Sequence, residues 1–130
     1  MPGMTIGKLA RAAGTHVETI RYYQRCGLMP VPGRAEGRVR RYPEDAIDRL
    51  RFIRRAQELG FSLAEVKQLL RLERSPGCRD ARALAAEKLA AIEERVADLE
   101  QMAASLRGLI VQCDAGAGRA CPIIEALRPS

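Results

Sequence analysis

Three cysteines in the second half of the chain are the residues whose type and spacing most strongly suggest chemistry. Cys113 and Cys121 flank a short loop rich in Gly and Ala, in the stretch CDAGAGRACPII, and Cys78 lies far upstream. Thiolate sulfur is a ligand that selects soft metal ions. Catalytic thiol pairs are typically spaced as Cys-X-X-Cys, and the sequence contains no such pair. The pattern therefore favours a metal site over three unrelated buried thiols, an intersubunit redox switch or a thiol oxidoreductase.

The fourth cysteine and the single histidine are poorly placed to join this metal site. Cys26 directly precedes Gly27 at the end of a predicted helix, where a small, weakly polar residue is ordinary packing. His16 lies at the start of the same helix, and we interpret it as a residue for helix capping or DNA contact. A structural zinc site usually has four Cys or His ligands. Three thiolates without a fourth ligand indicate a softer ion.

The segment between Cys78 and Cys113 predicts one long helix. Residues 79–112 contain no proline, and apolar residues recur at alternating steps of four and three, at Ala85, Leu89, Ile92, Val96, Leu99, Ala103, Leu106 and Ile110. One helix cannot bury such a heptad stripe by itself, so the stripe predicts a homodimer. The helix would separate Cys78 from Cys113 by roughly 50 Å. An antiparallel pair of helices would instead bring Cys78 of one subunit to Cys113 and Cys121 of the partner subunit.

The excess of positive charge lies in the first half of the chain. Residues 1–60 contain 12 Lys and Arg against 6 Asp and Glu, whereas residues 61–130 contain 10 of each kind. This asymmetry indicates that one end of the protein binds a polyanion such as nucleic acid, and the alternative is a solvated basic face. No apolar run approaches the roughly 18 residues of a membrane span, and no secretory signal is apparent. We therefore expect a cytoplasmic protein that does not enter a membrane.

The basic half begins with the pattern of a helix-turn-helix. The segment TIGKLARAAG predicts a short helix that ends at Gly14. Thr15 and Glu18 have the spacing of a capping box that opens a second helix, which ends at Gly27. In a helix-turn-helix the second helix lies in the major groove of DNA. Its run TIRYYQR predicts DNA contacts by Arg21 and Tyr23, because guanidinium and phenol groups bind phosphates and fix the register of the helix.

A basic wing and two further helices are predicted next. Residues 29–43 contain helix-breaking Pro and Gly, and RVRRY has the pattern of a short extended return. Pro43 suits the first turn of a third helix that ends at Gly60, and Ser62 with Glu65 forms a capping box for a fourth helix. We expect the wing to contact DNA through its arginines, Arg34, Arg38, Arg40 and Arg41.

These segments resemble one known family of regulators. TIGKLARAAGTHVETIRYYQRCGL, RRY and RAQELGFSLAEVKQLL are similar to the MerR family of transcriptional regulators, and the resemblance covers nearly the whole chain. The part from Cys78 to CPII is most similar to the mercury sensors of that family. The resemblance implies a mainly α fold. It comprises a winged helix-turn-helix domain over residues 1–72, a linker and antiparallel coiled-coil dimerisation helix over 73–112, and a metal-binding loop with a C-terminal segment over 113–130.

The resemblance also implies how such a protein acts. A dimer binds a promoter with an unusually long spacer, represses it without metal, and on binding metal distorts the DNA so that RNA polymerase can use it. Hg(II) is the first choice of inducer, for control of mercury resistance. Cd(II) and Pb(II) stay open, because their sensors share the three-cysteine layout and the Cys113–Cys121 interval is one residue shorter than we expect of mercury sensors. A protein that only sequesters metal, with a degenerate DNA-binding half, is the alternative from another class, and we predict no enzyme activity.

The resemblance assigns residues to both sites. The implied metal ligands are Cys78, Cys113 and Cys121. The DNA-contacting helix falls on residues 16–25. Together with the wing, this gives the predicted DNA-binding set His16, Val17, Thr19, Arg21, Tyr22, Tyr23, Arg38, Arg40, Arg41 and Tyr42.

Overall fold

Helices dominate the chain. A computed structural model describes residues 3–33, 40–74, 77–116 and 120–129, and these residues contain no β-strand. The helices are α1 (Ile6–Ala13), α2 (Val17–Arg25), α3 (Asp45–Glu58), α4 (Leu63–Leu72), α5 (Arg79–Asp114) and α6 (Pro122–Leu127). The predicted mainly α fold, with a helix-turn-helix followed by a long helix, is confirmed.

The α1–α2 pair forms around a left-handed turn. Thr5 caps α1, because its hydroxyl accepts a hydrogen bond from the Lys8 amide at 3.3 Å. Gly14 ends α1 with a φ of 68°, a conformation that only glycine adopts at little cost. The predicted capping box of Thr15 with Glu18 is wrong. Thr15 belongs to the turn that closes α1, where its amide bonds to the Ala10 carbonyl, and the residue that precedes α2 is His16.

The start of α4 follows its local signal, whereas α3 begins later than predicted. The sequence places Pro43 in the first turn of α3, but the helix begins at Asp45, and the Pro43 carbonyl accepts a hydrogen bond from the Ala46 amide. Ser62 caps α4, and both bonds of the predicted capping box with Glu65 are present, at 3.2 Å and 2.8 Å. The capping box at this position is therefore confirmed.

One apolar core joins these four helices. α1 packs against α2 and α3, and α3 packs against α4. The largest fully buried side chains come from the four helices and from the segment that follows α2. They are Leu9, Ile20, Leu28, Leu50, Ile53 and Val66. Burying a side chain of this kind contributes roughly 1.5–3 kcal/mol. The core therefore fixes which face of α2 remains exposed.

The predicted wing lies only partly within the described residues. Arg34 and Arg38 fall outside them, so the extended return of RVRRY stays a prediction. Tyr42 pairs instead with the N-terminal segment in an antiparallel bridge, in which Met4 and Tyr42 exchange hydrogen bonds of 2.9 Å and 2.8 Å.

The chain separates into two compact units, Met1–Ala85 and Ala86–Ser130. α5 runs for 36 residues without a buried residue and ends at Asp114, two residues beyond the predicted end at 112, so its last turn contains Cys113. The heptad leucines, isoleucines and valine of the stripe are exposed in the single chain. Among the described residues, no helix is both long and apolar enough to cross a membrane.

Candidate functional site

The outer face of α2 carries a stripe of charged and aromatic side chains. Glu18, Arg21, Tyr22 and Arg25 are exposed and follow the spacing i, i+3, i+4 and i+7. These positions lie on one side of a helix, opposite the buried Ile20. We call these four residues the α2 stripe. It presents two guanidiniums, one phenol and one carboxylate to solvent on a single surface.

The groups of the α2 stripe contact one another. Arg21 Nη1 lies 3.3 Å from Glu18 Oε1, and both side chains are more than half exposed, so this ion pair is weak and open to exchange for another anion. The Arg25 guanidinium lies 5.8 Å from the centre of the Tyr22 ring. A hydrogen bond with the Cys26 thiol is the main cause that raises the pKa of Tyr22 above its ordinary value. The ordinary pKa of tyrosine already lies well above neutral, so the Tyr22 hydroxyl keeps its proton as a hydrogen-bond donor.

The first residues of α2 have mixed exposure. His16 precedes the helix with an extended backbone, is exposed and makes no capping hydrogen bond through its side chain. Val17 is partly buried and packs against the core, and Thr19 is half-buried. Among these three predicted DNA-contacting residues, His16 offers the most accessible side chain.

Two of the predicted DNA-contacting tyrosines lie in the core. Tyr23 is 6% exposed and Tyr42 is 4% exposed, whereas Tyr22 is 46% exposed. The Tyr23 hydroxyl donates to Gln57 Oε1 at 2.7 Å, and the Tyr42 hydroxyl accepts from Gln24 Nε2 at 2.8 Å. Burial raises the pKa of Tyr23, and the nearby Arg54 charge lowers it. The hydrogen bonds of both hydroxyls therefore hold α2 in place on its core-facing side.

The wing arginines differ in accessibility. Arg40 is half-buried and its Nε donates to the Pro32 carbonyl at 3.0 Å. Arg41 is exposed, and Arg38 lies outside the described residues. Arg41 is thus the wing arginine whose described side chain is most open to a phosphate.

Sequence reasoning does not identify two members of the α2 stripe. Glu18 has the spacing of a capping residue, and Arg25 ends the run TIRYYQR without a predicted contact of its own. The signal that identifies both is the helical spacing from Arg21 and Tyr22, which becomes decisive once Ile20 is placed in the core.

The second candidate site is a pair of thiols at the end of the chain. Cys113 lies in the last turn of α5, and Cys121 directly precedes α6, where Pro122 occupies the first helical position. The two Sγ atoms are 3.9 Å apart. Two sulfurs at this separation can bind the same ion with a small adjustment, because metal–sulfur bonds are about 2.3 Å long for an ion such as zinc.

The two thiols are electrostatically unlike. Backbone N–H groups of Ile124 and Ile123 at the start of α6 lower the pKa of Cys121. Burial is the largest cause that raises the pKa of Cys113, followed by its hydrogen bond with Cys121. The thiolate is the form that ligates metal. Cys121 is thus the thiol of the pair that ionises first.

The remaining cysteines lie in the first unit. Cys78 is exposed and directly precedes α5, and its carbonyl accepts a hydrogen bond from the Arg82 amide at 2.8 Å. Cys26 is partly buried and packs against the core, as its position before Gly27 predicts. In the described part of one chain, no three His, Cys, Asp or Glu side chains form a cluster with metal-binding geometry.

Two family models match the chain. Residues 4–73 match the model described as MerR HTH family regulatory protein, and residues 47–109 match the model described as MerR, DNA binding. The mercuric resistance operon regulatory protein of Pseudomonas fluorescens is 46% identical over 129 residues, which cover 98% of this chain and 90% of that protein.

Two solved structures are similar over nearly the whole chain. One is the transcription regulator PbrR691 from Ralstonia metallidurans CH34 in complex with lead(II), with a TM-score of 0.82, 35% identity and coverage of 96% of this chain and 99% of that chain. The other is the dual-function regulator MerR from Bacillus megaterium MB1 in complex with mercury(II), with a TM-score of 0.72, 36% identity and coverage of 95% and 98%.

These matches span both the helix-turn-helix and the long helix. They describe regulators that bind DNA, so the prediction that the protein is not an enzyme is confirmed. The chain belongs to the MerR family of transcriptional regulators.

Proposed function

We propose that this regulator binds promoter DNA as a dimer, represses transcription without metal, and activates it when a soft metal ion, Hg(II) first, binds its cysteines. The observation that carries the metal assignment is the 3.9 Å separation of the Cys113 and Cys121 sulfurs. A relative 46% identical is named for mercuric resistance, and a similar structure contains mercury(II). These likenesses support Hg(II) as the inducer and mercury resistance as the controlled process.

The proposed ligand set has three sulfurs from two subunits. Cys113 and Cys121 supply two of them, and Cys78 of the partner subunit supplies the third. Cys78 precedes α5 and Cys113 lies in its last turn, so an antiparallel pair of α5 helices brings the start of one beside the end of the other. Soft thiolate donors fit a soft ion. When bound, the ion would supply a bond between the two subunits.

The exposed stripe of α5 supports the proposed dimer. Leu89, Ile92, Val96, Leu99, Leu106 and Ile110 are 40–57% exposed in the single chain. A heptad stripe of this length is typical of a coiled-coil interface. We propose that residues 73–112 form the linker and dimerisation helix, between a DNA-binding domain over 1–72 and a metal-binding segment over 113–130.

The proposed DNA-binding surface is the α2 stripe together with the start of α2 and the wing. Exposed arginines bind phosphates and base edges, and Arg21, Arg25 and Arg41 are the most accessible ones described there. His16, Val17, Thr19, Tyr22, Arg38 and Arg40 complete the proposed contact surface, with Tyr23 and Tyr42 acting from the core. A cytoplasmic location follows from access to promoter DNA and RNA polymerase.

Metal binding can change transcription only by favouring one dimer shape. An ion that binds two dimer shapes with equal affinity does not change their relative populations. The three sulfurs must therefore fit one dimer shape better than the other. This shape would hold the promoter DNA in a form that RNA polymerase can use. The proposed coupling therefore needs every ligand, whereas DNA binding without metal needs none.

A second candidate inducer is Pb(II), with Cd(II) as a related ion. A structure in complex with lead(II) is similar to this chain, with a TM-score of 0.82. Three thiolates accept each of these soft ions, so the ligand chemistry supports more than one of them. The order of transcriptional response among the ions distinguishes the two candidates.

The test is a metal panel with cysteine variants. Reduced protein is titrated with Hg(II), Cd(II), Pb(II) and Zn(II), sulfur-to-metal charge-transfer absorbance is recorded, and transcription from the cognate promoter is measured with each ion. We expect Hg(II) to activate at the lowest concentration. Replacing Cys78, Cys113 or Cys121 with Ser should abolish activation, while DNA binding without metal changes less than about twofold, because all three cysteines lie outside the helix-turn-helix.

The matched control for this panel is Cys26→Ser, which removes a thiol from the protein without touching the proposed site. It should activate like the unmodified protein. Activation that survives Cys121→Ser would contradict the ligand set. Activation by Pb(II) or Cd(II) at lower concentrations than Hg(II) would contradict only the identity of the inducer.

A further inference from the structure

The carbonyl groups at the end of α1 accept hydrogen bonds from two sources, backbone amides of the turn and side chains of α3. The last four carbonyls of a helix lack partners within the helix and need others. The amides of Gly14 and Thr15 bond to the carbonyls of Arg11 and Ala10. The following carbonyls are bonded by arginines of α3, with Arg51 Nη2 at 3.5 Å from the Ala12 oxygen. The turn between α1 and α2 is therefore completed by side chains from another helix.

Arg54 makes the shortest of these contacts. Its Nη1 donates to the Gly14 carbonyl at 2.7 Å and to the Ala13 carbonyl at 3.0 Å. A cation at the C-terminal end of α1 also interacts favourably with the helix dipole. A Cβ atom at Gly14 would lie 3.3 Å from the same Nη1, so the absence of a side chain at Gly14 allows the guanidinium to approach this closely. Arg54 thus holds the turn immediately before His16 and the start of α2.

Other side chains of α3 hold α2 further along its length. Gln57, one turn after Arg54, accepts the hydroxyl hydrogen bond of Tyr23. Arg49 Nε donates to the Leu28 carbonyl at 2.7 Å, beyond the end of α2. The angle of α2 relative to α3 is therefore set at three points, and Arg54 fixes the end from which the helix starts.

We propose that Arg54 is a positioning residue for sequence reading, because it fixes the turn so that the α2 stripe meets base edges in one orientation. The proposal rests on the proposed DNA-binding role of α2. Base edges are read by hydrogen bonds of defined geometry, whereas phosphate contacts are mainly electrostatic. A small tilt of α2 therefore weakens sequence-specific binding more than binding to arbitrary DNA.

The test compares binding to two duplexes. One is selected by the unmodified full-length protein from a random-sequence pool, and the other is its scrambled counterpart. Arg54→Met removes the hydrogen bonds and the charge, and Arg54→Lys keeps the charge and a donor. Arg55→Met is the matched control, because it removes the same charge from the next position of α3, whose side chain borders a cavity with Phe52 and Leu59.

We expect Arg54→Met to lower the ratio of specific to scrambled affinity by roughly tenfold, the effect of losing well-oriented base contacts. Affinity for scrambled DNA and the salt dependence of binding should stay unchanged. Arg54→Lys should restore most of the ratio, and Arg55→Met should leave it intact. Circular dichroism checks folding, and if Arg54→Met is unfolded at the assay temperature, Arg54→Gln takes its place and should show the same loss.

Three results decide the proposal. An unchanged ratio in folded Arg54→Met or Arg54→Gln would overturn it. An equal loss on both duplexes, with the salt slope reduced by about one phosphate contact, would overturn it in favour of direct phosphate binding. If the unmodified protein selects no sequence at all, the proposed DNA-binding function fails as well, so the two failures are distinct.

Discussion

Tyr22 and Tyr23 are adjacent in the chain but have opposite environments. Successive residues of an α-helix point about 100° apart, so one ring lies in the α2 stripe and the other lies in the core. The Tyr23 hydroxyl is bonded to Gln57, whereas the Tyr22 hydroxyl lies near Cys26 and open solvent. Tyr23 therefore contributes to the stability of the fold, whereas Tyr22 belongs to the surface proposed to bind DNA.

Tyr23→Phe should destabilise the protein by about 1 kcal/mol, because it removes one part-buried hydrogen bond and leaves the Gln57 oxygen without that donor. Urea unfolding followed by circular dichroism measures the loss. Tyr22→Phe is the control, and it should leave stability within about 0.5 kcal/mol while weakening DNA binding. Equal destabilisation by both variants would contradict the assignment of Tyr23 to the core.

At the scale of elements, α5 is the helix whose exposed apolar residues most need a partner. Its apolar stripe covers seven turns or so of one face, and none of its residues is buried within the single chain. Leu99 lies near the middle of this stripe and is 50% exposed. The coiled-coil dimer proposed above would bury it at the centre of the interface.

Leu99→Lys should weaken dimerisation by roughly a hundredfold or more, because it removes a buried leucine and places an unpaired charge in the seam of both helices. Sedimentation at low protein concentration measures the monomer fraction. Gln101→Lys adds the same charge on the outer face of α5 and should remain dimeric. A dimeric Leu99→Lys variant would show that the interface lies elsewhere.

The sequence predicted helices better than it predicted which faces they expose. The Ser62–Glu65 capping box and the long α5 were identified because both are local or strongly periodic patterns. Thr15 carries the same capping pattern but is used by the turn that ends α1, a competition between two helix ends that spacing alone does not resolve. The sulfur pair was predicted as a site, but the arginine contacts of α3 to the α1–α2 turn join residues about 40 positions apart and leave no local signal.

At the scale of the whole molecule, the proposed metal site belongs to the dimer. Each pocket would combine Cys78 of one subunit with Cys113 and Cys121 of the partner subunit. A dimer with two such pockets follows from the twofold symmetry of an antiparallel pair. Ligands from two chains make the assignment testable by mixing subunits.

Mixing Cys78→Ser subunits with Cys113→Ser, Cys121→Ser subunits should restore one complete pocket in each heterodimer, because one intact set of ligands then meets across the interface. The stoichiometry of tightly bound Hg(II), measured in the presence of a competing thiol, should rise from near zero to one per heterodimer. Each variant alone serves as the control. Heterodimers without a tight site would exclude the intersubunit pocket.

The closeness of the Cys113 and Cys121 sulfurs has a consequence for how long a signal lasts. Bringing two separate ligand residues together costs conformational entropy. The fold already places the two sulfurs 3.9 Å apart, so binding of an ion would not add that cost. An ion bound at the proposed site and released by one sulfur would therefore remain within reach of the other and would rebind before it diffused away. Dilution alone should remove it slowly, whereas small free thiols should remove it quickly by replacing the sulfurs one at a time. The switch back to repression would then follow the thiol supply of the cell.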